Sequence, residues 1–218
     1  MSKTTTTLQS RRGLSERSIA GFGLTISGFI GFMGIMTAEL LYPNYSTRQD
    51  ISDLGSTRPP NPVIHEPSAT IFNSTMLLTG AIVLIAAILL YRVMDRRGFP
   101  LALAIFGFGA FGVGVFPGNM APWHGLFALL TFFSGGITVL LSARVVSRPF
   151  SILCGLFGGI SLLFLVSVIA LGVSGHPLGF LGAGGIERWV VYPLILWLLA
   201  FGGYLLAGSD DETAGIPG

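Results

Sequence analysis

Charge is what this sequence has least of. Of 218 residues only 10% are Asp, Glu, Lys or Arg, against about 25% in a soluble domain. Mean hydropathy is +0.76. Together these exclude an ordinary water-soluble globule and give no basic face for nucleic acid, which is not an expected partner. Cysteine is nearly absent too. The single Cys154 rules out an intramolecular disulfide and any cysteine-built metal or redox motif. Lysine occurs once, at Lys3, beside eleven arginines; with the acidic closing stretch, this composition suits a halophilic archaeon. Period-two alternation is lacking as well. The apolar runs are long and continuous, and a chain in lipid must satisfy its backbone internally, as helices or a closed barrel. The pattern selects helices.

A bilayer core of about 30 Å takes about 20 helical residues. That ruler predicts an all-α polytopic membrane protein with six spans, at about 19–42, 67–91, 100–116, 122–142, 149–173 and 187–206. Four of these open on proline, which suits a first helical turn because its missing N–H has no partner there. Residues 1–16 lack an apolar pattern and are expected to be a disordered tail, and 208–218 an acidic one. The first apolar run is too long for a cleaved signal peptide and reads as a retained span. With the N-terminus inside, the inner segments hold nine Lys and Arg (Lys3, Arg11, Arg12, Arg17, Arg92, Arg96, Arg97, Arg144, Arg148) and the outer ones three (Arg48, Arg58, Arg188). The bias predicts cytoplasmic termini and extracytoplasmic loops in a multi-pass protein of the cell membrane.

Thirty-one glycines crowd the apolar runs, where small residues let helices approach closely. Faces made by Gly28, Gly31 and Gly34, and by Gly107, Gly109, Gly112 and Gly114, suit packing within the chain or in a homo-oligomer. The one long polar stretch is the loop 43–66. Ser52, Asp53 and Gly55 carry turn chemistry, and Arg58-Pro59-Pro60-Asn61-Pro62 is stiff. So the loop is expected to fold over the outer mouth of the bundle rather than hang free.

The groups able to do chemistry gather at that end: His65, His124 and His176 with Asp50, Asp53, Glu66, Glu187 and Arg188. One explanation is a site at the mouth; the plainer one is that charges must sit at helix ends. Glu39, one turn before Tyr42, lies inside an apolar run and needs a partner; Arg188 or Arg48 would make a structural ion pair. Asn73, in the second span, is expected to hydrogen-bond to another helix. Ser52, Asp53, Asn73, His124, Glu187 and Arg188 are the candidate ligand residues for a lipid headgroup, with Arg188 suited to phosphate. No cofactor is expected. The alternative is zinc on His65, His124 and His176 with a nearby carboxylate in a lipid hydrolase, although neither HExxH nor HxxxH occurs. A small transporter or structural subunit is a third reading. The nearly uncharged span centres oppose ion coupling.

Tyr42-Pro43 with Tyr45-Ser46, the segment 51–55 ending in Gly55, Asn61-Pro62 and Ile71-Phe72-Asn73 resemble the signature of an archaeal and bacterial membrane family, domain of unknown function 998. Gly114 to Pro117 followed by His124 is similar to its second motif, and Gly185-Ile186-Glu187-Arg188 to its third; Gly118 stands where the family has an acid. The family has no established activity, so the resemblance implies a fold. The Ser52-x-x-Gly55-x-x-x-Pro59 loop more distantly resembles the Frag1/DRAM/Sfk1 group of six-span proteins, some of them linked to lipid remodelling, which implies lipid as the partner.

Overall fold

The structure, a computed structural model, describes residues 14–214. Residues 1–13 of the first expected tail and 215–218 of the second therefore lie outside the described residues, while 208–214 continue the last helix. Six helices form: α1 (Glu16–Leu41), α2 (Ser68–Val93), α3 (Gly98–Val115), α4 (Trp123–Ser142), α5 (Phe150–Gly175) and α6 (Gly182–Ala214). Each is long and apolar enough to cross a membrane, and no strand occurs among the described residues.

Local chemistry sets the starts. Ser15 caps α1 by accepting the Ser18 N–H at 3.1 Å, and Glu16 follows in the first turn, where a carboxylate meets the positive end of the helix. Pro67, Pro122 and Pro149 immediately precede α2, α4 and α5. The helix α6 starts five residues before the expected 187 and continues past 206. Its glycine-rich opening stays helical because Gly184 is locked against the loop, donating its N–H to Arg48 O at 2.9 Å. Glu187 and Arg188 thus lie inside a helix rather than at its mouth. Gly172, at φ 66°, bends α5 near its end through a conformation that glycine adopts freely.

Consecutive helices pack side by side and α6 closes back on α1, while α4 also touches α6 inside the ring. Lipid replaces water around this ring. Leu163 is 65% exposed, and Phe22, Phe29, Ile85 and Leu156 also face outward. So continuous an apolar surface on six spans makes this a multi-pass membrane protein. Inside, Phe99, Trp197 and Phe201 form one aromatic cluster. Trp197 Nε1–H donates to Ser142 Oγ at 2.9 Å, and Ser161 Oγ–H to Val190 O at 2.9 Å, so helices are also tied by polar bonds across the apolar interior.

The glycine faces are used within the chain. Gly28 abuts Leu198 and Leu199, Gly34 abuts Thr75, and Gly107, Gly109, Gly112 and Gly114 abut α2 or α4. One tight crossing is Gly80 on α3, where a Cβ on Gly80 would collide with Phe111 N and come 2.7 Å from Gly107 O. Gly155 on α5 faces open space. Gly80→Leu should therefore lower thermal stability in detergent by about 2 kcal/mol or more, and Gly155→Leu should leave it nearly unchanged. Equal melting temperatures for the two variants would contradict this packing.

Candidate functional site

Two glutamates and one arginine tie the long loop to the bundle. Because α1 and α6 are neighbours, Glu39 in the last turn of α1 meets Arg188 in the second turn of α6, and the two form an ion pair. Arg188 Nη2 also donates to Tyr45 Oη at 3.1 Å, and Nη1 donates to Thr47 O and Gly184 O, each at 2.9 Å. Tyr45 passes the constraint on by donating to Asp50 O at 3.0 Å; burial raises its pKa. The preceding residue of α6, Glu187, accepts the Ile51 N–H through Oε2 at 2.5 Å. These bonds hold down the 3-10 turn Ile51–Leu54, whose Ile51 and Leu54 plug into the bundle. Ser68 Oγ–H bonds Leu54 O at 3.3 Å from the α2 side.

The outer half of the loop is pinned as well. Arg58 pairs with Asp50 at 3.0 Å. Val63 N–H bonds Thr57 Oγ1 at 2.7 Å, and Thr57 N–H bonds Val63 O at 3.0 Å, which closes the proline-rich run into a turn. Asp53 is half-buried. Burial, together with the Asp50 charge and against the opposing pull of Arg58, raises its pKa to about 6.

The six candidate ligand residues do not share one mouth. Ser52 and Glu187 border an internal chamber. Asp53 belongs to the Asp50–Arg58 group on the loop. Asn73 lines a separate groove with Glu66 and Asn119, and its Oδ1 is buried without a partner, so the expected interhelical bond is not made. His124 is 2% exposed; its Nδ1 lies 2.8 Å from Phe116 O and its Nε2 has no partner. Arg188 is occupied by the clasp, which leaves little of it for phosphate. The histidines are also separately engaged. His65 packs edge-on against Tyr42, and His176 accepts the Leu178 N–H at Nδ1 and lies 3.0 Å from Ser167 Oγ at Nε2. Among the described residues no three His, Cys, Asp or Glu side chains are gathered to hold a metal.

The motif residues serve the loop. Tyr42 stacks edge-on with Tyr45 and His65, Gly55 sits where a Cβ would run into Phe72 and Asn73, and Gly114 sits against Asn73 O and Leu77. Pro43, Asn61 and Pro62 are exposed, and Pro117 lines the Asn73 groove. Gly118 is explained by its neighbour: any side chain there would collide with Ser56 O.

The chamber is the feature that sequence reasoning missed. It holds about 70 Å³ and is walled by α1, α2, α3, α4 and α6, among others through Ile35, Phe72, Met76, Phe106 and Leu198, with Ser52 and Glu187 at its loop end. Along α6 its lining runs from Glu187 to Leu198, about 16 Å at the helical rise. Small residues made it: Gly31, Thr79, Ala110 and Ala128 face inward from four different helices. That inward coincidence was the available signal, and it needs the helix order to be seen.

Two outcomes follow, one from the clasp and one from the Asp50–Arg58 group. The side chains of Arg188 and Glu39 are only 13% and 21% exposed, so Arg188→Gln strands a carboxylate and should cost about 3 kcal/mol in unfolding. Arg188→Lys should not restore it, because one ammonium cannot replace the fork; a lysine variant as stable as wild type would refute the clasp. Asp53 holds its proton longer folded than unfolded, its pKa moving from 3.8 to about 6. Its contribution is therefore full below pH 3.8 and is lost as pH rises through about 6. Relative to Asp53→Asn, the wild type should melt progressively lower between these limits, and a constant gap across that range would show that Asp53 is not buried as described.

The family model described as "Protein of unknown function (DUF998)" matches residues 25–204. Neither the comparison with curated proteins nor that with solved structures found a match. The matched stretch contains parts of all six helices, the whole loop, the Glu39–Arg188 clasp and every wall of the chamber, and the chain belongs to the DUF998 family.

Proposed function

We propose that this integral membrane protein binds a lipid at its loop end, which the loop arginine bias puts outside the cell, with an apolar chain in the chamber and a hydrogen-bond-donating polar end beneath the loop. The observation that carries this reading is Ser52. Its residue is 7% exposed, and among the described residues its hydroxyl makes no hydrogen bond, although it borders the chamber beside the Glu187 carboxylate. The hydroxyl is not one of the side-chain atoms shut off from solvent, so it stays open to a bound polar group, which would supply a hydrogen bond worth about 1 kcal/mol. The chamber's apolar walls and its volume of about 70 Å³ suit a short hydrocarbon segment of a few carbons.

The chemistry of the roof narrows the polar end. A phosphate finds no free cation at this point, because Arg188, the one guanidinium nearby on α6, is held by Glu39 and the loop carbonyls. A hydroxyl or an ammonium fits, because either donates to Glu187 and exchanges a hydrogen bond with Ser52. The role is binding or sensing, and the site requires no catalytic step.

Native mass spectrometry of the full chain released from mild detergent tests this. Wild type should carry one lipid. Gly31→Leu, which fills the chamber where the nearest atoms lie 3.7 Å or more from the added Cβ, should lose it with little change in melting temperature. Ser52→Ala should weaken retention by up to about tenfold. A wild type that carries no lipid, or a Gly31→Leu variant that retains it fully, would overturn the reading.

A further inference from the structure

The other end of the bundle holds a second cavity with different chemistry. It measures about 330 Å³ and lies between the start of α1, the end of α2, the α4–α5 turn and α6. Its rim is Ser15, Glu16 and Arg17, and its floor is apolar, with Leu90, Phe201 and Leu205. Here two charged side chains are left incomplete. Arg17 Nε and Glu16 Oε2 are both shut off from solvent, and neither has a hydrogen-bond partner.

These two groups do not neutralise each other. Residues i and i+1 project about 100° apart on a helix and do not face one another, and no ion pair joins them among the described residues. Among the described residues the one ion pair of Glu16 is with Arg92, 3.8 Å from the other carboxylate oxygen; the two side chains are 41% and 62% exposed, which makes the contact of little worth. A buried charged atom without a partner is costly, so the cavity is incomplete as it stands. A bare anion would gain from Arg17 but meet the Glu16 carboxylate, and a bare cation would meet the reverse.

We propose that this cavity binds a zwitterionic group, an anionic phosphate or carboxylate on Arg17 joined to an N–H-bearing ammonium on Glu16. The positive end of α1 adds to the pull on the anion, and the apolar floor accommodates the chain of a lipid that carries such a headgroup. The same chemistry is available from a lipid of the phosphoethanolamine type and from a free small zwitterion. The site is independent of the chamber at the loop end.

The test uses the full chain in detergent, titrated with short-chain phosphatidylethanolamine, phosphatidylcholine and phosphatidylglycerol and with water-soluble phosphoethanolamine, scored by native mass spectrometry. Phosphatidylethanolamine should bind about tenfold or more tighter than the other two lipids. Choline lacks the N–H that Glu16 accepts, and phosphatidylglycerol lacks the cation. Arg17→Gln should lower that affinity about tenfold or more, and Glu16→Gln should erase the preference over phosphatidylcholine. Competition by phosphoethanolamine identifies the headgroup alone as sufficient; binding of the lipid without such competition identifies a membrane lipid as the source. Val93→Trp, which fills the cavity from its rim, should block binding even if the charge variants fold poorly. Equal affinity for all three lipids with no binding of phosphoethanolamine, or unchanged preference in Arg17→Gln and Glu16→Gln, would overturn the proposal. Gly31→Leu should leave this binding intact, so failure here and failure at the chamber read out separately.

Discussion

The pair of Glu39 and Arg188 is the constraint on which the loop end depends. Each charge alone would be expensive at this depth, so neither helix tolerates its own residue without the other. The pair therefore fixes α1 beside α6, and the remaining N–H groups of Arg188 then fix the loop: Thr47 O, Gly184 O and Tyr45 Oη take up what Glu39 leaves. Tyr45 in turn sets Asp50, and the turn that follows is drawn down onto the Glu187 carboxylate. The roof of the chamber is in this sense a consequence of one buried guanidinium.

Packing elsewhere follows a different rule. Lipid gives helices no hydrophobic reason to associate, so close approach and polar bonds must do it. Gly80 on Gly107 and Gly21 on Gly202 bring α2 to α3 and α1 to α6 at backbone distance, and the Trp197–Ser142 and Ser161–Val190 bonds join α6 to α4 and α5. Where four small residues instead face a common centre, the same rule leaves space. The chamber is the by-product of tight packing at the rim of the ring, and its apolar walls persist because nothing polar is needed there until Ser52.

Much of the architecture was legible in the sequence. Long apolar runs bounded by proline and arginine give six helices, and Glu39 in such a run demanded a cation, with Arg188 among its two candidates. Other features were not legible, for physical reasons. The run 182–186 contains three glycines, and its helicity depends on a loop carbonyl at Arg48 that is remote in sequence. Asn73 was expected to bond across helices, but its Oδ1 lies against Gly55 of the folded loop and has no partner. The six candidate ligand residues share an end of the bundle, and a shared end is all that span counting can reveal; whether they share a cavity is decided by rotation of each helix about its axis. Ser52 and Glu187 share one, and Asn73 opens on another.

Glu187 holds the roof and borders the chamber with the same carboxylate. One oxygen accepts the Ile51 N–H, and on the proposed reading the group also receives the polar end of the ligand. A strong donor in the chamber would draw negative charge from that oxygen and weaken its bond to Ile51, while Arg188 keeps the flanking segments in place through contacts that do not involve Glu187. Ligand and loop are thereby coupled through a single side chain, and the coupling is reciprocal: whatever loosens the turn Ile51–Leu54 must change the affinity of the chamber. On the proposed reading, this is the physical route by which occupancy of the chamber would reach the loop.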